Sequence, residues 1–212
     1  MDGDKTLEIE SKYSTSDFYN LEKLLKTDEL GIYLLKTLGE KDVIDYYLDT
    51  SEYQIQNNGY ACRIRNKGSD WILTLKSLGK VKEAIHEREE YEINIPGFLL
   101  LSDWPESKIK NIVVSFVKDK PLYKICVIKQ HRIQRIVNIG EKRIGIMSLD
   151  TVEISINDSI NRTYEVEVEL CESGKMKDLK NLDVELKLLN LLPESCSKFE
   201  RAMEIKRKLN GD

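Results

Sequence analysis

Residues 7–13 read LEIESKY, which sets Glu8, Glu10 and Lys12 at alternate positions with Ile9 and Ser11 between them. Side chains at i, i+2 and i+4 share one face of a β-strand, so two carboxylates and an ammonium line one side. Residues 164–170, YEVEVEL, repeat the pattern with Glu165, Glu167 and Glu169, and ACRIRN at 61–66 puts Arg63 and Arg65 on one face. Any one of these strands alone reads as a solvated face. Several together, some acidic and some basic, predict a sheet whose charged faces converge on a wet interior. Three carboxylates on one side of a strand repel each other unless a cation sits among them. Charges of both signs around one cavity therefore point to a site for metal ions and polyanions.

The 212 residues carry a formal charge of −4 although 33% of them are charged. A near-balanced total argues against a general nucleic-acid binder, which is normally basic overall. The cysteines at 62, 126, 171 and 196 form no CxxC pair, and two histidines leave little material for a Cys/His zinc site. Scattered cysteines suit a reducing compartment. MDGDKTLEIE lacks the basic-then-apolar order of a secretory signal, and no run approaches membrane-spanning length. The expectation is a cytoplasmic protein that does not contact membrane.

Around the opening strand, residues 16–40 show near-helical apolar spacing, with Ser16 or Asp17 as N-cap and Phe18, Leu21, Leu24 and Leu25 as the buried stripe. Strand signals follow at 42–50, 60–66, 71–77 and 86–95, with turns at Asn58-Gly59 and Lys67-Gly68. Residues 103–118 read as a helix with Pro105 in its first turn. Strands then recur at 122–139, 142–154 and 162–173, and the tail reads as helices over 176–192 and 195–209. No linker composition interrupts this, so residues 1–212 are expected to form one domain. About eight alternating, mostly antiparallel strands predict an α+β fold: a closed eight-stranded antiparallel β-barrel, or tunnel, with helices packed outside.

The order of the motifs carries a resemblance. The ExExK strand (Glu8, Glu10, Lys12), YYLDT, RIR, LTLKS, REEYE, a Lys/Arg strand, LDTVEI and EVEVE succeed one another along the chain. Together they resemble the CYTH domain, or triphosphate tunnel metalloenzyme family, over roughly residues 5–205. That family includes class IV adenylate cyclases, thiamine triphosphatases and inorganic tripolyphosphatases.

The resemblance implies that a tunnel holds a small-molecule triphosphate with basic side chains and Mg²⁺ or Mn²⁺ with glutamates. Carried over, Glu8, Glu10, Asp150, Glu165, Glu167 and Glu169 are the expected metal ligands. Lys12, Arg63, Arg65, Lys76, Arg88, Lys129, Arg132, Arg135 and Lys198 are the expected phosphate ligands, and Glu10, Lys12 and Glu90 the expected catalytic groups. One strand leaves an alternative open. Lys129, His131, Ile133 and Arg135 share a parity that excludes Arg132, so either a bulge shifts the register or Arg135 replaces Arg132. His86, His131 and the Tyr46-Tyr47 pair read as structural.

The residue types suit the chemistry. Arginine forks match phosphate oxygens and lysine adds compact charge, while Mg²⁺ takes a few carboxylate oxygens and keeps water. No GxxxxGK[ST] loop is present, so side chains must hold the phosphates. The implied activity is metal-dependent hydrolysis of tripolyphosphate or of a nucleoside or thiamine triphosphate. Alternatives are a class IV adenylate cyclase and a non-catalytic triphosphate-binding module. No nucleic-acid partner is expected, and a monomer or a homodimer is compatible with the sequence.

Overall fold

In the computed structural model, residues 5–78, 80–82, 84–156 and 159–211 are described. The strands are β1 (Lys5–Thr15), β2 (Glu29–Leu30), β3 (Tyr33–Asp49), β4 (Tyr60–Lys67), β5 (Asp70–Ser77), β6 (Lys80–Lys82), β7 (Ile85–Ile95), β8 (Tyr123–Ile139), β9 (Lys142–Ile156), β10 (Ser159–Leu170) and β11 (Leu192–Pro193). The helices are α1 (Phe18–Lys26), α2 (Gln54–Asn57), α3 (Lys108–Val117), α4 (Met176–Leu188) and α5 (Lys198–Asn210).

Eight strands hydrogen-bond in the order β1-β10-β9-β8-β3-β4-β5-β7, and β7 pairs back onto β1. The sheet is closed and antiparallel throughout, as the alternation predicts. β2, β6 and β11 are short additions to β3, β7 and β1. Closure removes the unpaired edges and gives every strand an inside and an outside.

The apolar faces point outward, under the helices. Tyr13, Val166, Val168, Met147 and Leu149 pack beneath α1 and α4, whose Leu21, Leu24, Leu179, Leu182 and Leu186 are buried against them. Ile64, Leu73 and Leu75 pack against Ile109, Val113 and Trp104 near α3, whereas Ile128, Val152 and Ile154 share the inward parity of Arg132 and Asp150 and pack inside the barrel against Phe199, Ala202 and Met203 of α5. Each such leucine or isoleucine contributes about 1.5–3 kcal/mol by leaving water, so these clusters hold the barrel while the rest of its interior remains free to be polar.

Two expectations from the sequence need correction. The helix expected over 16–40 ends at Lys26. Asp17 caps its start by accepting from Tyr19 N–H, Gly31 turns the chain at φ 57°, and residues from Tyr33 onward belong to the long strand β3. The physical reason lies a hundred residues away, where Arg135 of β8 donates to the carbonyls of Leu24, Leu25 and Thr27 and so satisfies the end of α1. Similarly, Pro105 precedes α3, which begins after Ser107; the Ser107 hydroxyl accepts from Lys110 N–H. Among the described residues no helix is long and apolar enough to cross a membrane.

Candidate active site

β1 delivers Glu8, Glu10 and Lys12 to the barrel interior, and the neighbouring strands add Tyr47 (β3), Arg63 and Arg65 (β4), Lys76 (β5), Arg88 (β7), Arg132 (β8) and Glu167 (β10). Ser197 and Lys198 close the set from the start of α5. The alternation seen in the sequence is thus an alternation between an apolar outside and a charged tunnel. Residues from eight separate segments meet there because closure brings β1, first in the chain, beside β10.

Three ionic clusters organise the interior. Lys76 Nζ bridges Glu8 at 2.9 Å and Glu90 at 3.0 Å, with Arg63 3.7 Å from Glu90. Arg88 donates to Glu10 at 2.5 Å, and Lys12 lies 3.5 Å from Glu10 and 3.0 Å from Glu167. Lys198 contacts Glu167 at 2.6 Å, Glu165 at 2.8 Å and Asp150 at 3.1 Å, while Arg132 reaches both Asp150 and Glu167. Arg201, from the next turn of α5, also pairs with Glu165.

Such burial penalises charge, so the ionised state survives only where partners outweigh desolvation. Burial opposes ionisation of Glu167, yet Lys198, Lys12 and Arg132 hold its carboxyl well below the usual carboxylate range. Burial likewise disfavours a charged Lys76, but Glu8 and Glu90 hold its ammonium above the ordinary lysine value. Glu169 behaves in the opposite way. Its side chain reaches solvent, but desolvation by the surrounding protein and the charges of Glu8 and Glu10 push it up to about 7.

These carboxylates bear on metal binding. Among the described residues no three His, Cys, Asp or Glu side chains converge closely enough to form a ready-made cage. The donor set nevertheless fits a hard divalent cation: Glu10 and Glu169 face each other across β1 and β10, and carboxylate oxygens brought together in this way are the ligands such an ion takes. Asp150 and Glu165 are fully buried and already paired with lysine and arginine. They and Glu167 sit around Lys198 and Arg132, whereas Glu8 and Glu10 pair with Lys76 and Arg88, so the six expected ligands fall into a Glu8, Glu10 and Glu169 group and a group held by Lys198 and Arg132.

Two expected phosphate ligands lie elsewhere. Gln130 and Arg132 face inward, and the β8–β9 register runs unbroken from Val127 to Val137, so Lys129 and Arg135 face outward; the irregularity opposite Gln134 and Arg135 lies on β3, between Thr37 and Gly39. Lys129 is exposed on the outer face. Arg135 is buried outside the barrel against α1, bonded also to Asp28 and the carbonyl of Leu35. Of the two arginines left open on this strand, Arg132 is the one that lines the tunnel. Lys12, Arg63, Arg65, Lys76, Arg88 and Lys198 all reach the tunnel, as does Glu90 through its pairing with Lys76.

The family model for the CYTH domain matches residues 6–203. This chain belongs to the CYTH domain family. Comparison with curated proteins returned no match. Among solved structures, this CYTH domain is similar to a Hippeastrum protein assigned as an adenylyl cyclase and reported to have a dominant triphosphatase activity, at 20% identity and TM-score 0.67 over 91% of this chain and 93% of that one. A Bacillus halodurans protein provisionally assigned as an adenylate cyclase gives 20% identity and TM-score 0.66, covering 93% and 97%. A Pyrococcus horikoshii protein gives 19% and 0.60, covering 93% and 98%. At these identities the likeness establishes the fold. CYTH triphosphate tunnel enzymes generally depend on a divalent metal.

Sequence reading passed over two members of this CYTH tunnel. Asp45 and Gln130 are buried in its wall and hydrogen-bond to each other. Asp45 had left a signal, since a carboxylate two residues before Tyr47 shares the inward parity.

Proposed function

We propose that this protein is a divalent-metal-dependent hydrolase of a triphosphate compound. The observation that carries the proposal is the convergence of Lys12, Arg63, Arg65, Lys76, Arg88, Arg132 and Lys198 on one tunnel. Their Nε atoms add support: those of Arg63 and Arg88 are buried without a hydrogen-bond partner among the described residues, and phosphate oxygens are acceptors of the right kind.

Phosphate oxygens displace the internal carboxylates as partners of these cations, and the polyanion is thereby held extended along the tunnel. Glu8, Glu10 and Glu169 are the residues that would hold Mg²⁺ or Mn²⁺. Such an ion supplies Lewis-acid polarisation of phosphate oxygens. The chain's own part is positioning and charge neutralisation, which carry most of phosphoryl-transfer catalysis. Water attacks the terminal phosphorus as the anhydride bond breaks. Glu90, fixed by Lys76, orients that water together with Glu10, while Lys12, between Glu10 and Glu167, neutralises charge on the transferred group.

Cyclisation of ATP requires, in addition, a seat for adenine. Among the described residues the aromatic rings at the tunnel are Tyr47 and Phe199, which already stack on each other at 5.0 Å. This favours reading the phosphate chain rather than a base. The test is incubation of the purified protein with Mg²⁺ or Mn²⁺ and, separately, tripolyphosphate, thiamine triphosphate and ATP. Orthophosphate release that is lost in Glu10→Gln is expected. Cyclic AMP with pyrophosphate from ATP replaces the hydrolase reading by a cyclase, and ligand binding without turnover leaves a binding module.

A further inference from the structure

We propose that Asp45 is a positioning residue, fixing Arg65 and through the same carboxylate Arg63 in the orientation from which they contact phosphate. The proposal rests on the triphosphate-binding reading above. Asp45 has no solvent exposure, although it sits in a tunnel built for anions. A carboxylate there repels the bound polyanion, and burying it is costly in itself. Its presence therefore calls for a compensating role.

The geometry supplies one. Oδ1 accepts from Arg65 Nε at 2.6 Å and Oδ2 from Arg65 Nη2 at 2.7 Å, a two-pronged pairing of planar groups. Oδ2 also accepts from Gln130 Nε2 at 2.7 Å, and Arg63 Nη1 lies 3.6 Å away. Asp45 and Arg65 face each other directly in the β3–β4 register, so the backbone sets their approach. With Nε and Nη2 engaged, the guanidinium plane is fixed and Nη1 is left for a ligand.

The same arrangement recurs on the other side of β8. Asp150 is fully buried, faces Arg132 in the β8–β9 register, and accepts from its Nε at 2.7 Å and Nη2 at 2.6 Å. Two tunnel arginines on different strands thus rest on buried aspartates of adjacent strands. Tunnel charge alone needs neither aspartate; a fixed guanidinium direction needs both.

The experiment compares wild type, Asp45→Asn, Arg65→Lys and the double variant. Arginine Nε–H signals are followed by NMR, and steady-state hydrolysis of tripolyphosphate with Mg²⁺ is measured. In wild type the Arg65 Nε–H is expected to be resolved and slow to exchange, and in Asp45→Asn to be lost. Turnover at saturation is expected to fall about tenfold to a hundredfold, without a matching rise in KM and with little further loss in the double variant. A retained Arg65 signal overturns the proposal, as does a lower KM with unchanged kcat, which is the signature of a bystander charge. If Asp45→Asn does not fold, Arg65→Lys decides: it keeps the charge and loses the fork, so unchanged kcat overturns the proposal. If wild type hydrolyses none of tripolyphosphate, thiamine triphosphate and ATP, the functional reading falls on its own, and the NMR comparison still shows whether Asp45 holds Arg65.

Discussion

Replacing Arg135 by methionine separates the two arginines that the sequence left as alternatives. Arg135 is 2% exposed and donates to the carbonyls of Leu24 at 3.0 Å, Leu25 at 3.4 Å, Leu35 at 2.9 Å and Thr27, and to Asp28 at 2.8 Å. Asp28 is 86% exposed, so that ion pair adds little. The carbonyls matter more. A hydrogen bond from a charged donor contributes about 1.5–3 kcal/mol, and water can re-enter at the frayed end of α1, so we assign the whole set about 3–4 kcal/mol. In a domain of this size 1 kcal/mol moves Tm by about 2–4 °C, so a fall of about 10 °C is expected. Methionine retains most of the apolar stem, which keeps the cavity contribution small. Thermal and urea melts read the stability, and phosphate release at a temperature where both proteins are folded reads the activity. Arg132→Lys is the counterpart: it keeps a charge beside Asp150 and Glu167 but loses the two-pronged pairing. Activity is expected to survive in Arg135→Met and to drop at least about tenfold in Arg132→Lys. An Arg135→Met protein that melts like wild type but no longer turns over would refute this assignment.

Chelating the divalent metal is expected to stop phosphate release, and Glu10→Gln to lower it about a hundredfold at saturating metal; release that continues in both removes the carboxylates from the reaction. His86 predicts a pH dependence of stability. Its Nε2–H donates to the Glu194 carbonyl at 2.8 Å, and burial, with Lys12 and Arg88 nearby, holds its pKa below the ordinary imidazole value. The unfolded chain takes up a proton near pH 6.5 and the folded protein only at lower pH, so stability is complete above about 6.5 and declines as the pH falls below it. Tm is expected to drop between about pH 7.5 and 5.5, and to drop less in His86→Gln; equal drops assign the acid sensitivity elsewhere. Gly145 lies on β9 where an added Cβ meets the Glu169 carbonyl oxygen of β10. Gly145→Ala is expected to lose about 1–3 kcal/mol in a urea melt, and an unchanged midpoint shows that the two strands separate freely.

Alternation was the legible part of this protein. Each of Glu8, Glu10 and Lys12, and each of Arg63 and Arg65, declared its face by period two, because strand geometry alone decides which side chains share a side. The number of strands, their antiparallel order and the outward apolar faces followed from the same pattern and from the need to leave no edge unpaired. Local spacing could not show where α1 stops, since its end is held by an arginine that arrives through β8. Nor could it assign partners within the tunnel. Asp150 and Glu165 carry the same carboxylate chemistry as Glu8 and Glu10, yet Lys198 and Arg132 enclose the first pair while Glu10 faces Glu169 across the strand pair β1 and β10. Which charges neutralise one another depends on distances across a closed barrel, and those distances exist only once β1 and β7 have met.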